Sequence, residues 1–286
     1  MTFTEAAKTL LWRQSLDKVF FGVICFFSFL SVLPLVLILG YLLVKGVSAL
    51  NWQFFCRVPQ PLGEIGGGIA NALLGSLILL AVAFLLAVPL GLLVGIYLAE
   101  NKKNWLADCA RLSVEILQSV PSIVIGLVVY TWLVLPLKTF SALAGGAALA
   151  LMMLPVSVRS TEETLRLIPL ELKEAALALG VPYYRTILRV IVPSGLSGIV
   201  TGVLLSLARV AGETAPLLFT AFGNPFLSLA LFRPIESLPH LIFYYATSPY
   251  AEWHRLAWGA SFVLVVGVLF LNLTAKFLTR RWRVRF

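Results

Sequence analysis

Charge is scarce in this chain. Lys, Arg, Asp and Glu together make up 12% of its 286 residues, about half the share found in soluble domains. So few charges cannot build a water-facing shell, and 60% of the residues are hydrophobic, with a mean hydropathy of +0.96. The composition reads as a polytopic membrane protein. Cysteine is scarce as well. Cys25, Cys56 and Cys109 stand far apart with no C-x-x-C spacing, which argues against structural zinc, an iron–sulfur cluster or a disulfide framework. The two histidines, His240 and His254, share one loop and are too few for a metal site, so no metal ligands are assigned. No G-x-x-x-x-G-K-[ST] phosphate loop occurs, so the chain is not expected to hydrolyse ATP by itself. No nucleophile–base pair falls where hydropathy would place one cavity, and no catalytic residues are assigned. The first apolar run is too long for a signal peptide and lacks a small-residue cleavage site, so no cleaved leader is expected.

What is present is a set of long apolar runs. Six reach or approach the roughly 20 residues that a spanning helix needs. They cover residues 19–44, 69–99, 116–135, 141–158, 194–222 and 256–277. The fold class is therefore all-α, with six transmembrane helices in a single domain, 19–286, behind an N-terminal arm, 1–18. The fourth run is short and rich in Ala and Gly, which suits a helix packed inside the bundle. Gly91/Gly95 and Gly198/Gly202 are spaced for close helix contact. Pro89, Pro121 and Pro216 should bend their spans. The longest outer segment, 223–255, carries Tyr244, Tyr245, Tyr250 and Trp253, either as a partner surface or as an interfacial aromatic belt.

The net charge of +9 is explained by orientation. With both termini cytosolic, sixteen of the 22 basic residues lie in inner segments, from Lys8, Arg13 and Lys18 through Lys102 and Arg111 to Arg280, Arg281, Arg283 and Arg285. Five lie outside (Lys45, Arg57, Lys138, Arg233 and Arg255), and Arg209 falls within a span. That bias follows the positive-inside rule, so the charge points to membrane lipid and not to nucleic acid.

Residues 171–193, ELKEAALALGVPYYRTILRVIVP, form the longest charged, helix-prone stretch between two apolar runs. Pro169 suits a first helical turn. Leu172, Ala175, Ala176 and Leu179 recur at helical spacing as one apolar stripe, with Glu171, Lys173 and Glu174 facing away. Gly180 fits the position just past a helix end, and Pro182 blocks continuation. A second short helix from Tyr183 places Tyr184, Ile187 and Ile191 on one side. The stretch predicts two short helices with a glycine-centred bend, lying flat at the membrane surface.

This pattern resembles the cytoplasmic signature of ATP-binding-cassette (ABC) importer permeases. That motif is an E-A-A triplet, a Gly four residues after the last Ala, and an I-x-L-P ending after nine more. Here it reads Glu174-Ala175-Ala176, Gly180 and Val190-Ile191-Val192-Pro193, with Val190 and Val192 departing from it. The resemblance implies that Glu174, Ala175, Ala176, Gly180 and Pro193 dock on a separate ATPase subunit, within a docking loop covering 159–193.

The fifth span contains SLARVAGETAPLLFTAFGN. Arg209 and Glu213 are four apart, the spacing of one helix face, and Arg209 lies about 22 Å of rise from Ser194. A lone charge at that depth is costly and faces water or a partner charge. Two readings stand side by side. Either the pair neutralises itself and holds the bundle, or it borders a substrate path. In the second reading the guanidinium fork suits an oxyanion. The carboxylate accepts a hydrogen bond from a protonated one, favouring hydrogen phosphate over sulfate.

Arg209-Val-Ala-Gly-Glu213-Thr-Ala-Pro216 is similar to the fifth-helix motif of phosphate-importer permeases of the same class. The match implies a type I ABC importer permease bundle in the bacterial inner (plasma) membrane, moving inorganic phosphate by alternating access. It also implies a second permease subunit, an ATPase subunit dimer using ATP–Mg and a phosphate-binding protein, with no cofactor bound by this chain. The family further weights an Arg and a Glu after the fourth span, here Arg159 and Glu162. By local chemistry Ser160 with Glu163 reads as a capping box and Arg159 as an interfacial anchor. Competing expectations are a permease for molybdate, sulfate or phosphonate, a secondary transporter, or a non-transporting assembly subunit.

Overall fold

The computed structural model describes residues 3–61, 66–101 and 103–281. Lys102, Arg283 and Arg285 lie outside them, as do the side chains of Lys8, Arg13, Arg280 and Arg281. In chain order the helices are α1 (Phe3–Val47), α2 (Trp52–Cys56), α3 (Ala70–Glu100), α4 (Trp105–Ser119), α5 (Ser122–Val129), α6 (Leu135–Leu137), α7 (Ala142–Arg166), α8 (Leu170–Ala178), α9 (Tyr183–Thr186), α10 (Val192–Ser194), α11 (Leu196–Val210), α12 (Ala215–Thr220), α13 (Leu238–Ala246) and α14 (Ala251–Arg281). Single π turns at Tyr130–Val134 and Ile187–Ile191 join α5 to α6 and α9 to α10. Four helices are long and apolar enough to cross a membrane, and there are six spans if two bent pairs each count as one.

The bent pairs show where hydropathy and structure differ. The third apolar run, 116–135, is broken: Trp105–Ser119 and Ser122–Leu137 meet at 106° between α4 and α5. Val120 is extended there because Pro121 follows it, as the residue before a proline prefers. The fifth is a 67° pair, Tyr183–Ser194 with Leu196–Val210, so it ends at Val210 and not at 222. The fourth helix does not stop at 158. It continues as α7 through Arg166, which makes Ser160 and Glu163 mid-helix residues and removes the capping box.

α7 is the bundle's centre. Both glycine pairs serve it, along adjacent rows of its surface. A Cβ on Gly91 would lie 2.7 Å from that of Ser157, and one on Gly95 would lie 2.5 Å from that of Thr161. Gly198 is equally tight against Thr164, and Gly202 is in contact with Ser160. α3 and α11 thus approach α7 at backbone distance, the contact that small residues permit in lipid. Ser157 and Ser206 share a 3.4 Å hydroxyl contact across the second seam. Around these seams lies the main apolar cluster, including Leu79, Met153, Ile199, Val203 and Leu217.

Candidate substrate path and docking elbow

The elbow, residues 169–194, is built as the residue pattern requires. Gly180 adopts φ +77°. Its N–H donates to the Leu177 carbonyl (2.9 Å) and that of Val181 to the Ala176 carbonyl (3.2 Å), the Schellman arrangement that a left-handed glycine allows. Pro182 then caps α9. The apolar stripe is narrower than expected. Leu172 and Ala176 face inward, and Ile187 and Ile191 are buried in the main cluster. Ala175 and Tyr184 are exposed, and Leu179 is 84% exposed. Glu174, Ala175, Gly180 and Pro193 all lie on the outer surface, whereas Ala176 is buried. The outer face also presents Leu170, Leu177 and Leu188, which nothing in the described chain covers.

A polar cluster ties the elbow to the bundle. Lys173 Nζ and the Tyr183 hydroxyl both donate to Glu100 Oε2 at the end of α3. Burial works against the Lys173 charge, but the Glu100 and Tyr183 contacts outweigh it and hold the amine above its ordinary value. On α7, Glu162 is 3% exposed. Its Oε1 accepts from Arg111 Nε at 2.8 Å and pairs with an Arg166 guanidinium nitrogen at 2.6 Å. Arg111 also donates to Asp108 Oδ1 and to the carbonyls of Leu98 and Asn101. Arg159 differs. It is half exposed and pairs with Glu163 (2.8 Å) and Glu115 (3.1 Å) at the surface, where such pairs contribute about 0.2–1 kcal/mol. The structure therefore separates Arg159 from Glu162: one lies on the surface, the other is locked between two guanidinium groups.

Arg209 and Glu213 do not share a helix face, because α11 ends at Val210 and Glu213 follows a turn. Among the described residues no ion pair joins them. Arg209 is exposed between buried Ala208 and Val210. It extends the stripe Thr201, Leu205, Arg209, Gly212, which is exposed at each position, while Gly202, Val203 and Ser206 face α7. Thirteen residues of rise from Leu196 put Arg209 about 20 Å along the helix, beyond the midpoint of a hydrocarbon layer of roughly 30 Å. Glu213 is half-buried.

Glu100, Arg111 and Tyr183 were not singled out by sequence. Glu236 and His240 were also missed as a pair, although their i, i+4 spacing was a usable signal. His240 Nδ1 lies 2.6 Å from Glu236 Oε1 at the opposite, far end of the bundle. Among the described residues no group of three metal-ligating side chains occurs.

Residues 91–284 match the model of a family described as binding-protein-dependent transport system inner membrane component. The chain is 43% identical over 266 residues, 93% of its length and 90% of the relative's, to the phosphate transport system permease protein PstA of Yersinia pestis. It is 41% identical to the PstA of Haemophilus influenzae, covering 93% of this chain and 94% of that one. It is 39% identical to PstA 1 of Mycobacterium tuberculosis, covering 95% and 90%. Among solved structures it resembles the inward-facing MetNI methionine ABC transporter (TM-score 0.61, 20% identity, 76% of this chain and 98% of that one). An amino acid ABC transporter aligns at a TM-score of 0.53, with 16% identity over 74% and 92% of the two chains. At those identities the structures speak to the fold alone.

Proposed function

Because the chain belongs to the family of binding-protein-dependent transport system inner membrane components, and within it to the phosphate transport permeases PstA, we propose the following reading. The chain is the permease subunit of a phosphate ABC importer, an all-α, multi-pass inner-membrane protein of the type I permease fold. One observation carries this: the alignment with PstA relatives runs nearly end to end on both chains. No specific feature favours another oxyanion.

From here the reading is finer. Both termini face the cytosol, which the positive-inside bias supports. A separate ATPase dimer grips the elbow through Glu174, Ala175, Gly180 and Pro193, burning ATP–Mg that this chain does not bind. The uncovered leucines beside them support that role, and Ala176 acts from inside by seating α8. A second permease subunit covers the exposed stripe of α11. An uncompensated guanidinium at mid-span costs at least ~2.5–3.5 kcal/mol in lipid, so Arg209 faces water or that subunit. There it meets phosphate, with Glu213 alongside. Glu162 acts at a distance, as part of the ion cluster that moves with the elbow, and Arg159 acts from its separate surface pairs with Glu115 and Glu163. A phosphate-binding protein delivers cargo at the far end.

The test is uptake of labelled phosphate by vesicles holding the complete importer. Uptake should require ATP, survive excess sulfate and molybdate, and vanish in Arg209→Gln while assembly is unchanged. Wild-type uptake in that variant would remove Arg209 from the path. Uptake that ignores ATP but follows membrane potential would overturn the importer reading itself.

A further inference from the structure

The far end contains a cleft apart from Arg209, Glu213, Arg159 and Glu162. Its volume is ≈ 690 Å³, and Asn71, Gly223, Asn224, Glu236, His240 and Trp253 line it among others. Asn71 opens α3, is 4% exposed, and donates through Nδ2 to the Asn224 carbonyl at 2.8 Å. That bond fixes the amide's orientation. Asn71 Oδ1 is the buried side-chain polar atom without a partner among the described residues, and an unmet buried acceptor costs about 1–3 kcal/mol.

The other polar groups are set in the same sense. Glu236 Oε1 takes the Ser237 N–H (2.9 Å) and faces His240 Nδ1, which leaves Oε2 beside Gly223. A Cβ on Gly223 would lie 2.9 Å from Oε2. One wall is aromatic: Tyr245 and Trp253 stack at 4.7 Å, with Tyr244 5.8 Å from Trp253. Burial and then the Glu236 charge push the Tyr245 hydroxyl up to about 12, so the carboxylate's field reaches that wall. Among the described residues no Lys or Arg lines the cleft, in a chain of net charge +9.

A carboxylate oxygen and aromatic faces together recognise a cation; a phosphate would meet repulsion from Glu236. We propose that this cleft receives a lysine or arginine side chain of the soluble protein that delivers phosphate to the far end. The ammonium or guanidinium donates to Glu236 Oε2 and lies against Trp253. The inference rests on the importer reading above for the presence of that protein, and on the cleft for the contact.

The experiment uses the complete importer in lipid nanodiscs and the purified phosphate-binding protein. Glu236→Gln should weaken binding by about tenfold and flatten its salt dependence, with the complex still assembled. Zero-length carbodiimide coupling on the wild type should join Glu236 to a lysine of the binding protein, unless the partner residue is arginine. In that case a charge-reversal scan of the binding protein's arginines should find one whose loss is silent in Glu236→Gln. Unchanged affinity in Glu236→Gln overturns the proposal. So does competition by spermidine that leaves binding-protein affinity untouched, which would make the cleft a site for free organic cations. If Glu236→Gln fails to assemble, the coupling and the arginine charge-reversal scan read on the wild-type importer decide, and failure of both overturns it. Labelled phosphate uptake by the wild-type nanodisc preparation, moved to vesicles, separates these outcomes from failure of the importer reading.

Discussion

α1 and α7 are both candidate spans, and they solve opposite problems. No residue in the most apolar stretch of α1 is buried within the chain, whereas 61% of the corresponding stretch of α7 is. α1 is built of Phe, Leu, Val and Ile and touches mainly α14, as where Gly46 meets Phe262. α7 is the less apolar of the two, with Ala, Gly, Ser and Thr along both seams and charges at one end. In lipid a bulky apolar side chain gains little by leaving the tails for a neighbouring helix, so hydropathy marks the surface. Small residues that let backbones approach mark the centre. The contrast also explains why the fourth run looks weak as a span: its residues were chosen for contact and not for solvation.

The contrast can be broken most severely at a seam. Gly202→Leu places a branched side chain where Ser160 already touches, and overpacking of this kind costs 1–3 kcal/mol or more. Folded yield in detergent should collapse. Next comes the charged end of α7. Glu162→Ala leaves Arg111 and Arg166 without their shared carboxylate, and breaking a buried pair costs about 3–5 kcal/mol. Thermal unfolding should move down by several degrees, where Glu163→Ala, in the exposed pair, barely shifts it. On α1, Leu37→Ala should change the stability of the isolated chain by less than ~0.5 kcal/mol. A large effect there would mean that α1 is packed within its own chain after all.

The smallest effect concerns pH. Lys173 is held above its ordinary value of 10.5, so its contact with Glu100 contributes stability fully below that value. The contribution is lost as pH rises through the higher folded value. Lys173→Met should remove that alkaline dependence while leaving unfolding near pH 7 to 9 parallel to the wild type.

Much of this organisation was legible in the residues. Apolar runs gave the spans, and glycines four apart gave both seams. The E-A-A, Gly and Pro spacing gave the elbow, with Gly180 already marked for its left-handed bend. What escaped has a common cause. Hydropathy averages over a window and cannot see that Arg159, Glu162 and Arg166 continue a helix because α4 supplies Arg111 and Glu115 as partners. Nor does it register the turn at 211–214 that parts Glu213 from Arg209. Lys173 with Glu100, 73 positions apart, and Asn71 with Asn224, 153 apart, are products of the tertiary arrangement and leave no local trace. Glu236 and His240 were within reach, but sequence reading weighed the histidine only as a metal ligand.

The elbow has one more mechanical consequence. Ile187 and Ile191 are not a separate patch under a loop; they sit in the same cluster as Met153, Val203 and Leu217. A thrust applied at Gly180 therefore has no soft layer in which to dissipate. Were a partner to push there, the load would pass, as from the short arm of a bell-crank, into the shafts of α3, α7 and α11 together.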